Sequence, residues 1–471
     1  MPTKKVSSSS RITGYDVVVI GSGSAGLSAA YAARAQGAFV ALVANGMLGG
    51  ECPNYACVPT KAMLTAALRY DDLRRNGSAF GIHASNVRFD VAEMMARKDA
   101  VVRAMTGGRR IEKILEKEGV TLFRGTATFI DSESIRVGTQ NVSAKAFVIA
   151  TGSVPKIPPI ANIDSVPYWT PRDVTSMTEM PESVAIIGAG PVGCEFATFF
   201  SLIGIPVALF DIADHVLPKE DAEACALVQK SLISRGVTFY GKTKVLGIQE
   251  EKNGVRMTYQ TGSAPRKTLH VDRVIIASGR APNIDLLNIE AAGVSLRQNG
   301  TLPIESTLRV KGTDCFFAGD VTGLIPFTHT AHAEGLVAGE NAARLAAKLR
   351  TLRSVDLSVV PYAIFVAPEL ASVGSTAEEL ARSKTSFSVW KFPVGALGRS
   401  VIERERSGIL KVCVEKKTDQ ILGAVMVGER AGEVVHELAL AMYAKVPLST
   451  VQSMIHAYPT MSEAIPGLIP A

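Results

Sequence analysis

The sequence predicts a soluble α/β protein that builds one strand, glycine turn and helix twice. Three observations carry this. Residues 15–20 are a β-rich apolar run that breaks into Gly21-Ser-Gly23-Ser-Ala-Gly26 and an Ala-rich helix ending near Gln36. The pattern returns 167 residues later, where residues 183–187 lead into Gly188-Ala-Gly190-Pro-Val-Gly193 and a helix from Cys194 to about Ile203. Finally, the composition is globular: 471 residues, 47% apolar and 20% charged, allow two to four domains of about 150 residues each.

Composition also excludes several classes. Lys and Arg number 50 against 44 Asp and Glu, and a net charge of +6 without a long basic block speaks against a nucleic-acid binder. No apolar run is long enough for a membrane span, since the uncharged stretch 17–33 is interrupted by three Gly and three Ser. Residues 1–13, with four consecutive serines, read as a polar frayed tail rather than a secretory leader, which points to the cytoplasm.

Each glycine run has a physical reading. The first glycine permits a tight turn, the second lets backbone approach a pyrophosphate, and the third lets helix and strand pack closely, with the phosphate at the helix N-terminus. The pair predicts two dinucleotide sites, at Gly21, Gly23 and Gly26 and at Gly188, Gly190 and Gly193. About 20 residues beyond the glycines an acid is expected, to take the ribose hydroxyls. The later copy has Asp211, 18 residues past Gly193 with no Arg close behind, which favours NAD(H) over NADP(H). In the earlier copy Ala44 stands at the same offset. Either Asn45 hydrogen-bonds the ribose there, or that site binds its cofactor more weakly.

Gly49-Gly-Glu-Cys52-Pro-Asn-Tyr-Ala-Cys57-Val-Pro-Thr-Lys61 follows the first unit. Across C-x4-C an ideal helix rises about 7.5 Å, beyond the roughly 7 Å at which a disulfide closes. Cys52 is therefore expected off the helix of Cys57, with Pro53 pushing it out of the α region. No second Cys/His cluster completes a zinc site, so no metal centre is expected. The two thiols are either inert or a redox pair, and a nearby nucleotide loop favours the pair. The other four, Cys194, Cys225, Cys315 and Cys413, are scattered.

Taken together, Gly-Gly-x-Cys-x4-Cys-x-Pro-x-Lys after a glycine turn resembles the pyridine nucleotide-disulfide oxidoreductases, which include dihydrolipoamide dehydrogenase, glutathione reductase and mercuric reductase. Further landmarks follow in order: Ala150-Thr151-Gly152, Ala277-Ser-Gly279-Arg280-Ala-Pro-Asn283, Ala318-Gly319-Asp320, Phe327-Thr328-His329-Thr-Ala-His332-Ala-Glu-Gly, and Val360-Pro361 with Ala367-Pro-Glu-Leu-Ala-Ser-Val-Gly374. The resemblance implies two Rossmann-like dinucleotide-binding domains, for FAD and NAD, plus a C-terminal α+β dimerisation domain. It places FAD on 14–154 and 285–350, NAD on 155–284 and dimerisation on 351–471. FAD would be held by Gly21, Gly23, Gly26, Asn45, Thr151, Gly152, Gly319, Asp320, Thr328 and His329. NAD(H) would be held by Gly188, Gly190, Gly193, Asp211 and Gly279. A bland alternative for His329 and His332 is a polar helix start.

The implied reaction takes a hydride from NADH to FAD and opens a Cys52–Cys57 disulfide. Cys57 would face the flavin as a charge-transfer thiolate, and Cys52 would attack the substrate. Lys61 would pair with Glu195 in the nicotinamide pocket. The family ends in His-Pro-Thr-x-x-Glu, contributed by the partner subunit of a homodimer. Here Tyr458 stands at the His position, with Glu463 at its usual offset and His456 two residues earlier. A phenol with pKa near 10 is a poor base at neutral pH, whereas imidazole suits it. Tyrosine at this position is similar to mercuric reductases, yet no terminal cysteine pair follows, Cys413 being the last. The implied function is an NADH-preferring flavin reductase with a small-molecule electron acceptor. The alternatives are a mercuric reductase lacking that pair, a dihydrolipoamide dehydrogenase using His456, or a catalytically quiet flavoprotein subunit.

Overall fold

Continuous apolar runs become central parallel strands, because a strand covered on both faces has no polar side to present. Val17, Val18 and Val19 are fully buried in the strand Thr13–Ile20, and every residue of Val40–Ala44 is buried. The computed structural model describes residues 13–405 and 407–471. The predicted polar tail lies outside them except for Thr13, which pairs with Val142 as the first residue of its strand and so is not frayed.

The chain divides into two units, the first gathering residues up to Pro59, Asp99–Val154 and Arg280–Asp356. Its sheet has seven strands. Thr121–Arg124, Val40–Ala44, Thr13–Ile20 and Gln140–Ile149 lie side by side and parallel. The long strand Gln140–Ile149 serves two neighbours: its first residues pair antiparallel with Ser134–Val137, and residues 147–149 pair parallel with Cys315–Phe317.

Two helices on this unit cross at unusually short range. Ser24–Ala35 is the Ala-rich helix after the first glycine run, and Thr328–Ala346 lies against it. A Cβ on Gly335 would stand 2.3 Å from the Ala25 carbonyl oxygen, and one on Gly339 2.1 Å from that of Ala29. Glycines one turn apart therefore let the two backbones touch.

The second unit gathers Thr60–Lys98, Pro155–Gly279 and Leu357–Ala471. It holds a parallel four-stranded sheet in the order Val237–Tyr240, Val207–Phe210, Val184–Ile187 and Arg273–Ile276. The antiparallel meander Thr243–Glu251, Gly254–Thr261 and Lys267–Val271 follows the same chain region. The C-terminal part forms a six-stranded antiparallel sheet packed on the helix Ala431–Tyr443. Asp221 caps the helix Ala222–Ser234 and also takes Lys411 Nζ at 2.6 Å. Both residues are buried, so this ion pair ties the C-terminal sheet to the nucleotide-fold part of the unit. Among the described residues no helix is long and apolar enough to cross a membrane.

The helix crossing makes one test direct. Gly339→Ala sets a methyl group 2.1 Å from a carbonyl oxygen, so the helices must separate. A loss of about 1–3 kcal/mol is expected, read as a lower denaturation midpoint. An unchanged midpoint would show that the crossing widens at no cost.

Candidate functional site

The two glycine turns have the same geometry. Gly21 has φ +111° and Gly188 φ +110°, and their N–H groups donate at 2.8 Å to Val43 and Phe210, one strand across in each case. The third glycine is demanded by packing: a Cβ on Gly26 or Gly193 would lie 1.8 Å from the carbonyl oxygen of Gly21 or Gly188. The second glycine is not. A Cβ on Gly190 would meet no protein atom within 4 Å, and one on Gly23 would meet only Gly50 Cα at 3.8 Å, an ordinary contact, so neither second glycine is demanded by packing and each leaves room for a pyrophosphate. Both turns therefore fit a dinucleotide.

In the first unit the cysteine segment is docked on its glycine turn. Gly49 N–H donates to the Ser22 carbonyl at 2.9 Å, and Gly50, at φ +72°, is so close that a Cβ would come within 2.5 Å of Gly23 Cα. The short helix Glu51–Asn54 starts there and carries Cys52, while Cys57 opens the separate helix Cys57–Arg75. Cys52 is thus off the helix of Cys57, but it is helical itself, contrary to the expectation from Pro53. In a first helical turn proline's missing N–H is no loss, and the break falls instead at Tyr55, with φ −136°. Cys52 and Cys57 are half-buried. The other four thiols are buried, and burial pushes Cys225 and Cys315 up to about 12, Cys413 up to about 11, and Cys194 upward as well.

Around the two thiols, Cys57 Sγ lies 3.7 Å from Thr328 Oγ1, and the Thr328 carbonyl accepts from Ser24 Oγ at 3.0 Å. His329 stacks on Phe327, and His332 Nδ1 lies 2.7 Å from Ser28 Oγ. Asp320 accepts from Ser153 Oγ at 2.8 Å, Ser153 Oγ also accepts from Arg280 Nε at 2.6 Å, and Arg280 pairs with Glu51 beside Cys52. Thr151 Oγ1 donates to the Asn283 carbonyl at 2.7 Å, and Asn283 N–H donates to the Gly152 carbonyl at 3.0 Å. Gly319 N–H donates to Glu334 at 2.6 Å; burial pushes this carboxyl up to about 7. Asn45 is exposed at the strand end. The reading from sequence missed Glu51, Arg280, Ser153 and Glu334 as a connected set. Glu51 and Arg280 both stand inside the motifs, but a pairing across 229 residues leaves no local pattern.

In the second unit Lys61 Nζ donates to both oxygens of Glu195, at 2.8 and 2.6 Å, and Glu195 is buried. Phe365, for which no sequence signal existed, completes this pair. Its N–H donates to Glu195 Oε1 at 3.1 Å, and its ring lies 4.8 Å from Lys61 Nζ. Asp211 turns back onto the glycine turn and accepts from Ala189 N–H at 2.7 Å and Ala213 N–H at 2.8 Å. Gly279, at φ +111°, accepts from Lys156 N–H at 2.9 Å.

The C-terminal segment separates its two candidate bases. His456 is held at both nitrogens: Nε2 lies 2.8 Å from Glu437 Oε1, and Nδ1 lies 3.0 Å from the Met454 carbonyl. Tyr458 is 78% exposed, its hydroxyl over the space left by Gly398. Glu463 accepts from Thr460 N–H at 3.1 Å and so caps its own turn.

The sequence matches the family profile "Pyridine nucleotide-disulphide oxidoreductase" over residues 15–335 and that family's dimerisation domain over 360–469. It is 32% identical to a mercuric reductase of Staphylococcus aureus, covering 96% of this chain and 81% of that one. It is 33% identical to the mitochondrial dihydrolipoyl dehydrogenase of Pisum sativum, covering 96% and 90%. The solved HOCl-induced flavoprotein disulfide reductase RclA from Escherichia coli superposes with a TM-score of 0.84 at 28% identity, covering 96% and 99%. The chain therefore belongs to the pyridine nucleotide-disulphide oxidoreductases, FAD-dependent enzymes that use NAD(P)H, and it carries their dimerisation domain.

Proposed function

We propose that the protein is an NADH-preferring disulfide-type reductase in which Cys52 and Cys57 relay electrons to a small acceptor. The observation that carries this reading is the docking of the cysteine segment on the first glycine turn through Gly50 and Gly23. A bound FAD supplies the two-electron chemistry linking a hydride donor to a disulfide. Gly21, Gly23, Gly26, Thr151, Gly152, Gly319, Asp320, Thr328 and His329 would hold it, on a domain of residues 14–154 and 285–350. Gly188, Gly190, Gly193, Asp211 and Gly279 would hold the nicotinamide nucleotide on 155–284.

The chain's own chemistry is a thiol cycle. The Cys52–Cys57 disulfide takes two electrons and two protons to give two thiols. Cys52 gives its proton to solvent and, as the thiolate, attacks a disulfide acceptor and expels one thiolate; Cys57 then displaces the other from the mixed disulfide, restoring the Cys52–Cys57 disulfide. Thr328 stays beside Cys57, where its hydroxyl can donate to a thiolate. Lys61 and Glu195 neutralise one another, and Phe365 fixes the carboxylate, so the pair keeps one orientation in the nicotinamide pocket. Asp211 offers acceptors to a ribose hydroxyl and repels a 2′-phosphate.

The exit of protons is where this chain departs from an imidazole-dependent enzyme. Tyr458 stands at the family histidine position, so a phenol there replaces the imidazole, the group suited to proton transfer at neutral pH. His456 is already engaged by Glu437 and the Met454 carbonyl, which weakens the dihydrolipoamide reading. An acceptor needing no proton shuttle, such as a thiolate-bound metal ion, fits Tyr458. The buried Cys413 offers no accessible thiol for a mercuric-reductase relay. Leu440, Tyr443, Ile455 and Tyr458, between 67% and 100% exposed, support a homodimer that covers this part of 351–471.

Screening turnover with NADH against lipoamide, small disulfides, Hg(II), quinones and oxygen tests the reading as a whole. Anaerobic NADH should make Cys52 and Cys57 available to alkylation, seen as two added labels; no gain in labelling would rule out a redox pair. Wild-type kcat/KM should favour NADH over NADPH by about tenfold or more, and Asp211→Asn should narrow the gap, because roughly 1.4 kcal/mol is modest for one charge contact. Equal values in the wild type would remove Asp211 as the selector. Tyr458→His should raise lipoamide turnover by about 10²-fold or more while leaving reduction by NADH nearly unchanged. Brisk wild-type lipoamide turnover that is lost in His456→Ala would assign the base to His456.

A further inference from the structure

The first nucleotide turn lacks the acid that should end its second strand. Ala44 is buried at that position, with Arg124 as its register partner on the next strand. Arg124 Nη1 donates to the Gly46 carbonyl at 3.2 Å, and Nη2 pairs with Glu112 on the helix Arg110–Lys117. A second anchor is independent of that arginine. Ile111, the neighbour of Glu112, lies so near Gly49 that a Cβ there would stand 3.5 Å from Ile111 Cδ1. Both contacts set the start of this helix against the loop 45–50, which follows the strand end where a ribose is held in such folds.

We propose that Glu112 supplies the ribose acceptor of the first nucleotide site, in place of the acid missing at Ala44; this rests on that turn binding FAD. The carboxylate is suited to the task. Arg109 Nε donates to Oε2 at 2.9 Å and Arg124 to Oε1, which leaves each oxygen a further lone pair. The Arg109 hydrogen bond first, then that of Arg124, holds Glu112 below the usual carboxylate range, so it is an anion at neutral pH. Its side chain is 25% exposed. Asn45, the sequence candidate for the same task, is exposed on the loop itself.

The full-length holoenzyme can be tested by diluting it and following the rise of free-flavin fluorescence. Glu112→Gln should raise the FAD dissociation constant by about tenfold to a hundredfold, the range for a hydrogen bond to a charged group. FMN has no adenosine ribose, so its binding should be unchanged by the same substitution. Ala44→Glu added to Glu112→Gln should recover most of the lost FAD affinity. Unchanged FAD dissociation in Glu112→Gln would overturn the assignment. Equal weakening of FAD and FMN would also overturn it, showing that Glu112 only braces the loop. A wild-type protein purified without any flavin absorbance would instead refute the FAD reading of this turn, and the assignment with it.

Discussion

In each nucleotide turn the carbonyl oxygen of the first glycine occupies the place where the third glycine's side chain would begin. That contact leaves the following helix one angle of departure, and it fixes where the helix N-terminus points. In the first unit everything chemical hangs from the result. Gly50 rests on Gly23, which sets the start of the short helix carrying Cys52. Gly335 and Gly339 let Thr328–Ala346 approach the helix Ser24–Ala35, and Thr328 stands beside Cys57. The thiols and the turn are thus positioned by backbone contact, which tolerates far less drift than contact between flexible side chains.

Local backbone demands were the legible part of the sequence. The helices Ser24–Ala35 and Pro191–Leu202 end within a residue or so of the ends that the glycine runs and apolar periodicity indicate. Lys61 and Glu195 met as the family resemblance implied, because both belong to elements the motif already defines. What stayed hidden has no local signature. The Glu51–Arg280 pairing, Phe365 against Glu195 and Glu437 against His456 each join segments whose own periodicity is silent about the other. Cys52 was misplaced for another reason: the rule for a residue before proline is weak in a first helical turn, where no N–H is needed.

The chain departs from the family pattern at the side chains of Ala44 and Tyr458, and it keeps the glycines where backbone meets backbone. Neither departure disturbs a strand or a turn: Ala44 ends its strand buried, and Tyr458 is exposed. Glu463, which keeps the family offset beside Tyr458, is occupied by Thr460 N–H. Lys61 keeps its two-oxygen grip on the buried Glu195 carboxylate.

The close helix crossing also has a consequence for synthesis. Ala29 and Gly339, in backbone contact in the finished protein, are 310 residues apart along the chain. At about 5–20 residues per second a ribosome takes roughly 15–60 s to cover that distance. For that interval the face of the Ala-rich helix that meets Thr328–Ala346 stays uncovered, and the strand Thr13–Ile20 lacks part of its cover. The first unit therefore cannot close during translation of its own N-terminal segment, and the second unit's nucleotide fold, local in sequence, can be complete before it.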